Sequence, residues 1–369
     1  MAERIEGRPL GVGIVGAGEV GRHVIERAQQ IGSERGYLVR RVAVRHPENY
    51  SGINAQLISD VEGILGDRSI DIFAELSGSQ DALDWMKRAM AKGMGVVSAN
   101  KRVIAGSDLI NEAGIWHINL GIEASVGGGT TFLRPLVDRL WVDDLDSWSG
   151  IANGTTNFMF GGMSKGQNFD QVLEQAISRG FTERNHEADT QGYDAAQKLA
   201  IIAGFAFKAL INPEQISRRG IMEITPFDLK FAREYEVDQG GPGYAVKLLI
   251  IGGRLDNGKS LLGVTPALVA KKDLLAQVDE EFNGFVLNWR RGGQHFIRGK
   301  GAGGVATAAA VNDDIDFVAR NMRQGAVFEY PRQERLDSGL LVPFGVDTAQ
   351  RVVEIQRPDG TSIRLPVVG

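Results

Sequence analysis

Cysteine is absent from this chain of 369 residues. Disulfides, thiolate nucleophiles, thioester intermediates and cysteine-ligated metals are thereby excluded. The absence is compatible with a reducing compartment, and a cytoplasmic location is expected. Long apolar runs are missing as well. The longest uncharged run of helical character, Leu199 to Phe207, spans nine residues, whereas a membrane span needs about twenty. The opening MAERIEGRPL carries acids and no apolar core, so no signal peptide is expected there. The histidines, His23, His46, His117, His186 and His295, show no metal-ligand spacing. Positive charge is in deficit, with a net charge of −5, which argues against a nucleic-acid partner, since such a partner demands a basic face. There are no repeats and no low-complexity tracts.

What is present is dominated by one stretch, Gly180 to Phe207, GFTERNHEADTQGYDAAQKLAIIAGFAF. Its first half holds Glu183, Glu187, Asp189 and Asp194 ahead of Lys198; its second half is uncharged. A helix starting near Gly192 puts Asp194 and Lys198 four residues apart on one face. Its apolar half is then buried on nearly every side. A lysine and a carboxylate at the mouth of a buried helix, below a loop of acids, point to a reaction centre. An ordinary helical ion pair is the competing reading. His186, in the same acidic loop, is the rival acid/base group.

The beginning of the chain reads as a nucleotide fold. Leu10 to Val15 is a short apolar strand, followed by Gly16-Ala17-Gly18-Glu19-Val20-Gly21 and a helical pattern. In this GxGxxG the first glycine allows the tight turn and the second admits the pyrophosphate. The third lets helix and strand pack, and the helix N-terminus faces the phosphates. Tyr37 to Arg45 reads as the second strand. Its tip is basic at Arg45, which suits a 2′-phosphate and favours NADP, with NAD as the alternative. Ile70 to Leu76 and Gly95 to Ser98 are further buried strands, and Ser77-Gly78 closes the first of them at the ligand-binding edge. Lys101 follows the other; taken alone it reads as a surface residue. Ile115 to Leu120 is expected to be a strand. After it, Glu123-Ala-Ser-Val-Gly-Gly-Gly-Thr-Thr exposes backbone amides and carbonyls. These could bind an anion, a hard cation with Glu123, or nothing.

Leu140 to Ala152 reads as the first strand of a second domain, followed by the polar turn Asn153 to Asn157. Phe169 to Arg179 is a helix that stops at Gly180. Ala245 to Ile251, Leu261 to Val269 and Phe282 to Trp289 are expected as one helix and two strands. Pro266, inside an apolar run, predicts an edge or bulge position. The run Gly299 to Gly304 also fits GxGxxG but lacks the context of a second nucleotide fold. The helix after it, with Val311, Ile315, Val318 and Met322 on one face, returns the chain to the first domain. A hairpin is expected in the tail around Arg357-Pro358-Asp359-Gly360. The expected division is 1–139 completed by 305–330, then 140–304, then a tail of 331–369.

Taken together, GIVGAGEVG, VVSANK, EASVGGG, GIANGTTNFM, the Gly180 stretch and GKGAGG followed by ATAAAV, in that order, resemble homoserine dehydrogenase. The resemblance runs from about Leu10 to Met322. It implies an α/β Rossmann domain and an α+β substrate and dimerisation domain with a mixed sheet. It also implies a homodimer, a place in amino-acid biosynthesis towards threonine and methionine, and a small-molecule substrate. It implies that Lys198 transfers the proton, with Asp194 beside it and Lys101 as the second active-site lysine. Glu183 and Asp189 match acids that face the substrate amino group, and Gly154 and Thr155 match the substrate loop. Gly16, Gly18, Glu19, Val20, Gly21, Arg45, Ser77, Gly78 and Lys101 fall to the cofactor, and Gly301 to the nicotinamide. Glu123, by its side chain, and Val126, Gly128 and Thr130, by their carbonyls, match a site for a monovalent cation such as sodium.

The chain departs from the family pattern at Thr130-Thr131, Ala152, Asn185-His186 and Ala188-Asp189, all around the substrate. A sister oxidoreductase acting on a bulkier alcohol, and a non-catalytic NADP-binding sensor, are the alternatives. The tail is too short for the regulatory ACT domain of longer relatives. The implied reaction is reversible hydride transfer between NADP(H) and homoserine or aspartate semialdehyde. A lysine beside a carboxylate is held charged, which suits proton donation to the forming alcohol.

Overall fold

The computed structural model describes residues 7–182, 185–235, 243–336 and 340–368. The chain forms two compact units. One holds the described residues through Val137 together with Gly303–Glu334; the other holds Asp138–Ala302 together with the described residues from Arg335 onward.

The first unit is built on a six-stranded parallel sheet. Its strands are β1 (Leu10–Val15), β2 (Tyr37–Ala43), β3 (Gln56–Ile58), β4 (Ile72–Glu75), β5 (Gly95–Ser98) and β6 (Leu120–Gly121). They lie in the order β3-β2-β1-β4-β5-β6. The order reverses between β1 and β4, and open α/β sheets bind ligands at such a switch point. Helix α1 (Glu19–Arg35) follows β1, α2 (Ala82–Ala91) follows β4, and the short α3 (Lys101–Ile104) follows β5. Helix α4 (Leu109–Ile115) corrects one expectation. Ile115 to Leu120 is not a strand: Ile115 ends a helix and is exposed, and only Leu120–Gly121 pairs with β5. The apolar residues of that run are split between a helix end and a buried bridge, so no period of two develops.

Helix α5 (Leu133–Leu140) precedes the second unit's first strand, β7 (Leu145–Ile151). The strand therefore starts later than Leu140. Helices α6 (Gly154–Met163), α7 (Phe169–Ser178) and α8 (Tyr193–Phe207) follow. Asn168 closes a capping box on α7, and Gly192, at φ 81°, starts α8. Then come β8 (Tyr244–Arg254), β9 (Ser260–Ala270), β10 (Phe282–Trp289) and β11 (Gly293–Lys300). Ala245 to Ile251 is thus a strand, not a helix. Apart from the buried Lys247, the run is apolar on both faces and rich in β-branched residues. In a strand buried on both sides, alternation vanishes and periodicity no longer separates the two states.

The chain next returns to the first unit through α9 (Gly304–Gln324), which packs on α1, β5 and β6. Val311, Ile315, Val318 and Met322 are buried in one cluster with Leu10, Ile14, Val24 and Val97. Full burial of such a side chain is worth about 1.5–3 kcal/mol.

The tail strands β12 (Val352–Gln356) and β13 (Ser362–Val368) form an antiparallel hairpin. The second sheet has nine strands, in the main order β11-β10-β7-β8-β9-β13-β12. It is mixed, because β13 runs parallel to β9 while the β7, β8, β9, β10 and β11 pairs are antiparallel. Pro266 lies in β9, opposite Leu248 of β8. On the other side, partners cover Ser260–Val264 and Leu268–Val269. The proline fills the gap between them, where its missing N–H is not needed. Among the described residues, no helix is long and apolar enough to cross a membrane.

Candidate active site

In the first unit, Gly16 has φ 96°, and a Cβ there would lie 2.8 Å from the Leu76 carbonyl. Only glycine fits this turn. A Cβ on Gly21 would strike the Gly16 carbonyl oxygen. Gly18 differs: a Cβ there meets nothing within 4 Å. The open space in front of it, at the N-terminus of α1, suits a pyrophosphate. Val20 is half-buried. Glu19 is exposed, and its Oε1 accepts the Gly304 N–H at 3.3 Å, tying α1 to the start of α9. Arg45 is exposed just beyond β2. Ser77 and Gly78 are exposed beyond β4, with open space at the Gly78 Cα.

Glu75, fully buried at the end of β4, shapes this edge. Its Oε1 accepts from the Ser77 N–H and hydroxyl at 2.8 and 2.6 Å, and its Oε2 from the Ser98 hydroxyl at 3.3 Å. Sequence reasoning missed Glu75. The available signal was an acid inside the otherwise apolar run IDIFAEL. Lys101 starts α3 at the carboxyl end of β5 and is half-buried.

Glu123 is buried and accepts from the backbone N–H groups of Phe132, Leu133 (2.6 Å) and Arg134 (2.8 Å), and from Arg134 Nε at 3.4 Å. Each oxygen thus takes two donors, which fills the lone-pair positions of a carboxylate. The side chain caps α5 and does not fit the side-chain ligand of a cation site. The carbonyl-bearing Val126, Gly128 and Thr130 are buried in the same loop.

The lysine of the second unit sits as its spacing predicts. Lys198 and Asp194 are both 8% exposed, and Nζ lies 2.8 Å from Asp194 Oδ2. Nζ also donates to the Ala152 carbonyl at 2.6 Å. Two of the three ammonium protons are thereby directed, and the third is left for another acceptor.

Asn153, at the N-cap of α6, organises the acids. Its Oδ1 accepts the Thr156 N–H at 2.8 Å, while Nδ2 donates to Asp189 Oδ1 at 2.7 Å and Asp194 Oδ2 at 2.8 Å. Thr182 donates to Asp189 Oδ2 at 2.7 Å. Burial, and then the neighbouring Asp194, push the Asp189 carboxyl up from its ordinary value, against these hydrogen bonds and Lys198. Thr155 donates to the Phe181 carbonyl at 2.7 Å, fastening α6 to the acidic loop. Asn153 was not singled out from sequence, although its position just before a helix marks it as a cap.

Glu183 lies outside the described residues. His186 faces Thr190, Nδ1 to Oγ1 3.1 Å, and its ring packs edge-on to Phe169. Gly154 and Gly301 are both buried in the second unit against the Glu281 backbone.

A Rossmann sheet with an open glycine turn, in a chain that also buries a lysine–aspartate pair, defines a nicotinamide-dependent oxidoreductase acting on an alcohol. The comparisons narrow the class. The family model described as homoserine dehydrogenase matches residues 132–315. The homoserine dehydrogenase of Mycobacterium tuberculosis is 33% identical over 353 residues, covering 92% of this chain and 78% of that one. That of Bacillus subtilis is 31% identical over 346 residues, covering 89% and 78%. The crystal structure of a homoserine dehydrogenase from Thiobacillus denitrificans superposes with a TM-score of 0.80 at 30% identity, covering 92% of this chain and 80% of that one. A hyperthermophilic archaeal homoserine dehydrogenase in complex with NADPH shares the fold, at TM-score 0.71 and 22% identity, covering 88% and 100%. The chain belongs to the homoserine dehydrogenase family.

Proposed function

We propose that this protein interconverts L-homoserine and L-aspartate 4-semialdehyde with NADP(H), with Lys198 as proton donor and acceptor. The carrying observation is the buried ammonium whose protons are directed by Asp194 and Ala152 while one is left over. The nicotinamide, when bound, supplies or takes up the hydride. Lys198 gives a proton to the aldehyde oxygen as it becomes the alcohol, and takes it back in oxidation. Asp194 orients the ammonium, and Asn153 holds Asp194. Asp189 with Glu183 is suited to the substrate ammonium. Gly154 and Thr155 form the substrate loop, and Lys101 supplies a second cation for the substrate carboxylate. Gly16, Gly18, Gly21, Ser77 and Gly78 would cradle the dinucleotide, Arg45 its 2′-phosphate, and Gly301 would border the nicotinamide.

The test is NADP+ reduction with homoserine and a panel of bulkier alcohols, for wild type and Lys198→Met. Wild type should prefer homoserine. The variant should bind NADPH normally yet lose on the order of 10²–10⁴ in kcat. A loss below about tenfold would take Lys198 out of the chemistry, and preference for a bulkier alcohol would replace the substrate.

A further inference from the structure

A second buried lysine lies outside this machinery. Lys247 stands in the middle of β8, 5% exposed. Its Nζ reaches Asn157 Oδ1 at 3.0 Å, the Val278 carbonyl at 2.5 Å and Asp279 Oδ1 at 3.2 Å. Asn157, on α6, adds its amide protons to the carbonyls of Val278 and Glu280, at 3.0 Å each, and Phe282, at 3.3 Å. Two side chains thus tie one corner, 278–282, where Glu280 adopts φ 57°. That region is costly for a residue with a side chain and persists when its surroundings impose it.

The corner is not remote from the chemistry. The Glu281 carbonyl accepts the Gly301 N–H at 3.0 Å. The same oxygen lies 2.6 Å from where a Cβ on Gly154 would stand. One peptide group therefore seats both the substrate-loop glycine and the glycine assigned to the nicotinamide.

We infer that Lys247 is a positioning residue: through the 278–282 corner its ammonium fixes the spacing between Gly154 and Gly301, and so between substrate and nicotinamide. This rests on the roles given to those two glycines above. A buried ammonium in an apolar strand is a poor choice for stability alone, since apolar replacements of buried charges are often neutral or better. Three acceptors converging from a helix and a corner are what an ammonium serves and a methionine cannot. Burial pushes the Lys247 ammonium down from its ordinary value, and the charge acting against that is Asp279. Once deprotonated, the amine has two donors for three acceptors, and the corner loosens.

The experiment measures kcat/KM for homoserine from neutral to alkaline pH, together with NADPH affinity and melting, for wild type, Lys247→Met, Asp279→Asn and Lys198→Met. Lys247→Met should keep NADPH affinity but lose about 10–100-fold in kcat/KM, the scale of a misplaced reactant. Asp279, 71% exposed at its side chain, can be changed without disturbing the core. Removing its charge should move the alkaline fall of kcat/KM to lower pH. A folded Lys247→Met with wild-type kcat/KM and pH profile overturns the inference. Where that variant does not fold, an unmoved alkaline limb in Asp279→Asn overturns it. Failure of the underlying reading looks different: wild type idle on homoserine, or Lys198→Met fully active.

Discussion

A single carboxamide, Asn153, lets two acids stand beside one lysine. Without it, Asp189 and Asp194 would face each other with less to offset their repulsion, and Asp189 already sits above its ordinary value because of burial and that neighbour. The sign of the consequence is fixed by linkage. A carboxyl raised on folding holds its proton more tightly in the native chain. Its contribution is most favourable below the unfolded value near 3.8 and is lost as pH rises through the folded value. Asp189→Asn should therefore melt no lower than wild type at neutral pH, with its relative advantage shrinking in acid. The same variant should raise the KM for homoserine about 10–100-fold, the worth of about 1.5–3 kcal/mol for a hydrogen bond to a charged group. Melting curves across pH and a KM series check both. A variant that melts well below wild type at neutral pH would show that Asp189 stabilises the fold rather than burdening it. The lysine–aspartate pair was legible because a helix fixes it locally at four residues. Asn153 was not, because its bonds reach 36 and 41 residues along the chain to Asp189 and Asp194. Nothing local marks a cap that also joins two acids.

The glycine turn separates two reasons for having no side chain. At Gly16 the backbone itself needs glycine, with φ 96° and the Leu76 carbonyl in the way. At Gly18 the backbone, φ −66° and ψ −162°, suits alanine, and the space in front is open. Gly18→Ala should hold its stability within about 0.5 kcal/mol while NADPH affinity falls at least tenfold. Gly16→Ala should lose about 1–3 kcal/mol of stability. Denaturant melts and NADPH fluorescence titrations distinguish them; a Gly18→Ala that binds normally would empty the cradle of its function. Elements with a local signature of this kind were readable: β1 and α1 flank a turn whose first and third glycines are dictated by contact, and α9 shows its apolar face at helical spacing. Ala245 to Ile251 misled because Lys247 breaks the apolar run without being exposed. A charge inside β8 is satisfied by α6 and the 278–282 corner, and that partnership exists only after folding.

At the scale of the whole molecule, alternating strand and helix signals made β1, β2, β4 and β5 legible, while β3, three residues long, and the two-residue β6 carried no such signal. The tail hairpin was readable from its turn, but its place in the sheet was not, because β13 pairs with β9, which lies far earlier in the chain. Cofactor choice is also a property of the whole chain once it is read as stability. A ligand that binds only the native state adds RT ln(1+[L]/Kd), about 2.7 kcal/mol at a hundredfold excess over Kd. The glycine turn and Arg45 all belong to the first unit. A chain of two compact units need not melt in one step, so the dinucleotide should raise the transition that includes that unit. At equal concentration NADP+ should raise it further than NAD+, because an exposed arginine beyond β2 favours a 2′-phosphate over a bare hydroxyl. Arg45→Ala should bring the two shifts together by lowering the NADP+ effect and sparing that of NAD+. Equal shifts in the wild type, or a difference that survives the substitution, would remove Arg45 from the choice of cofactor.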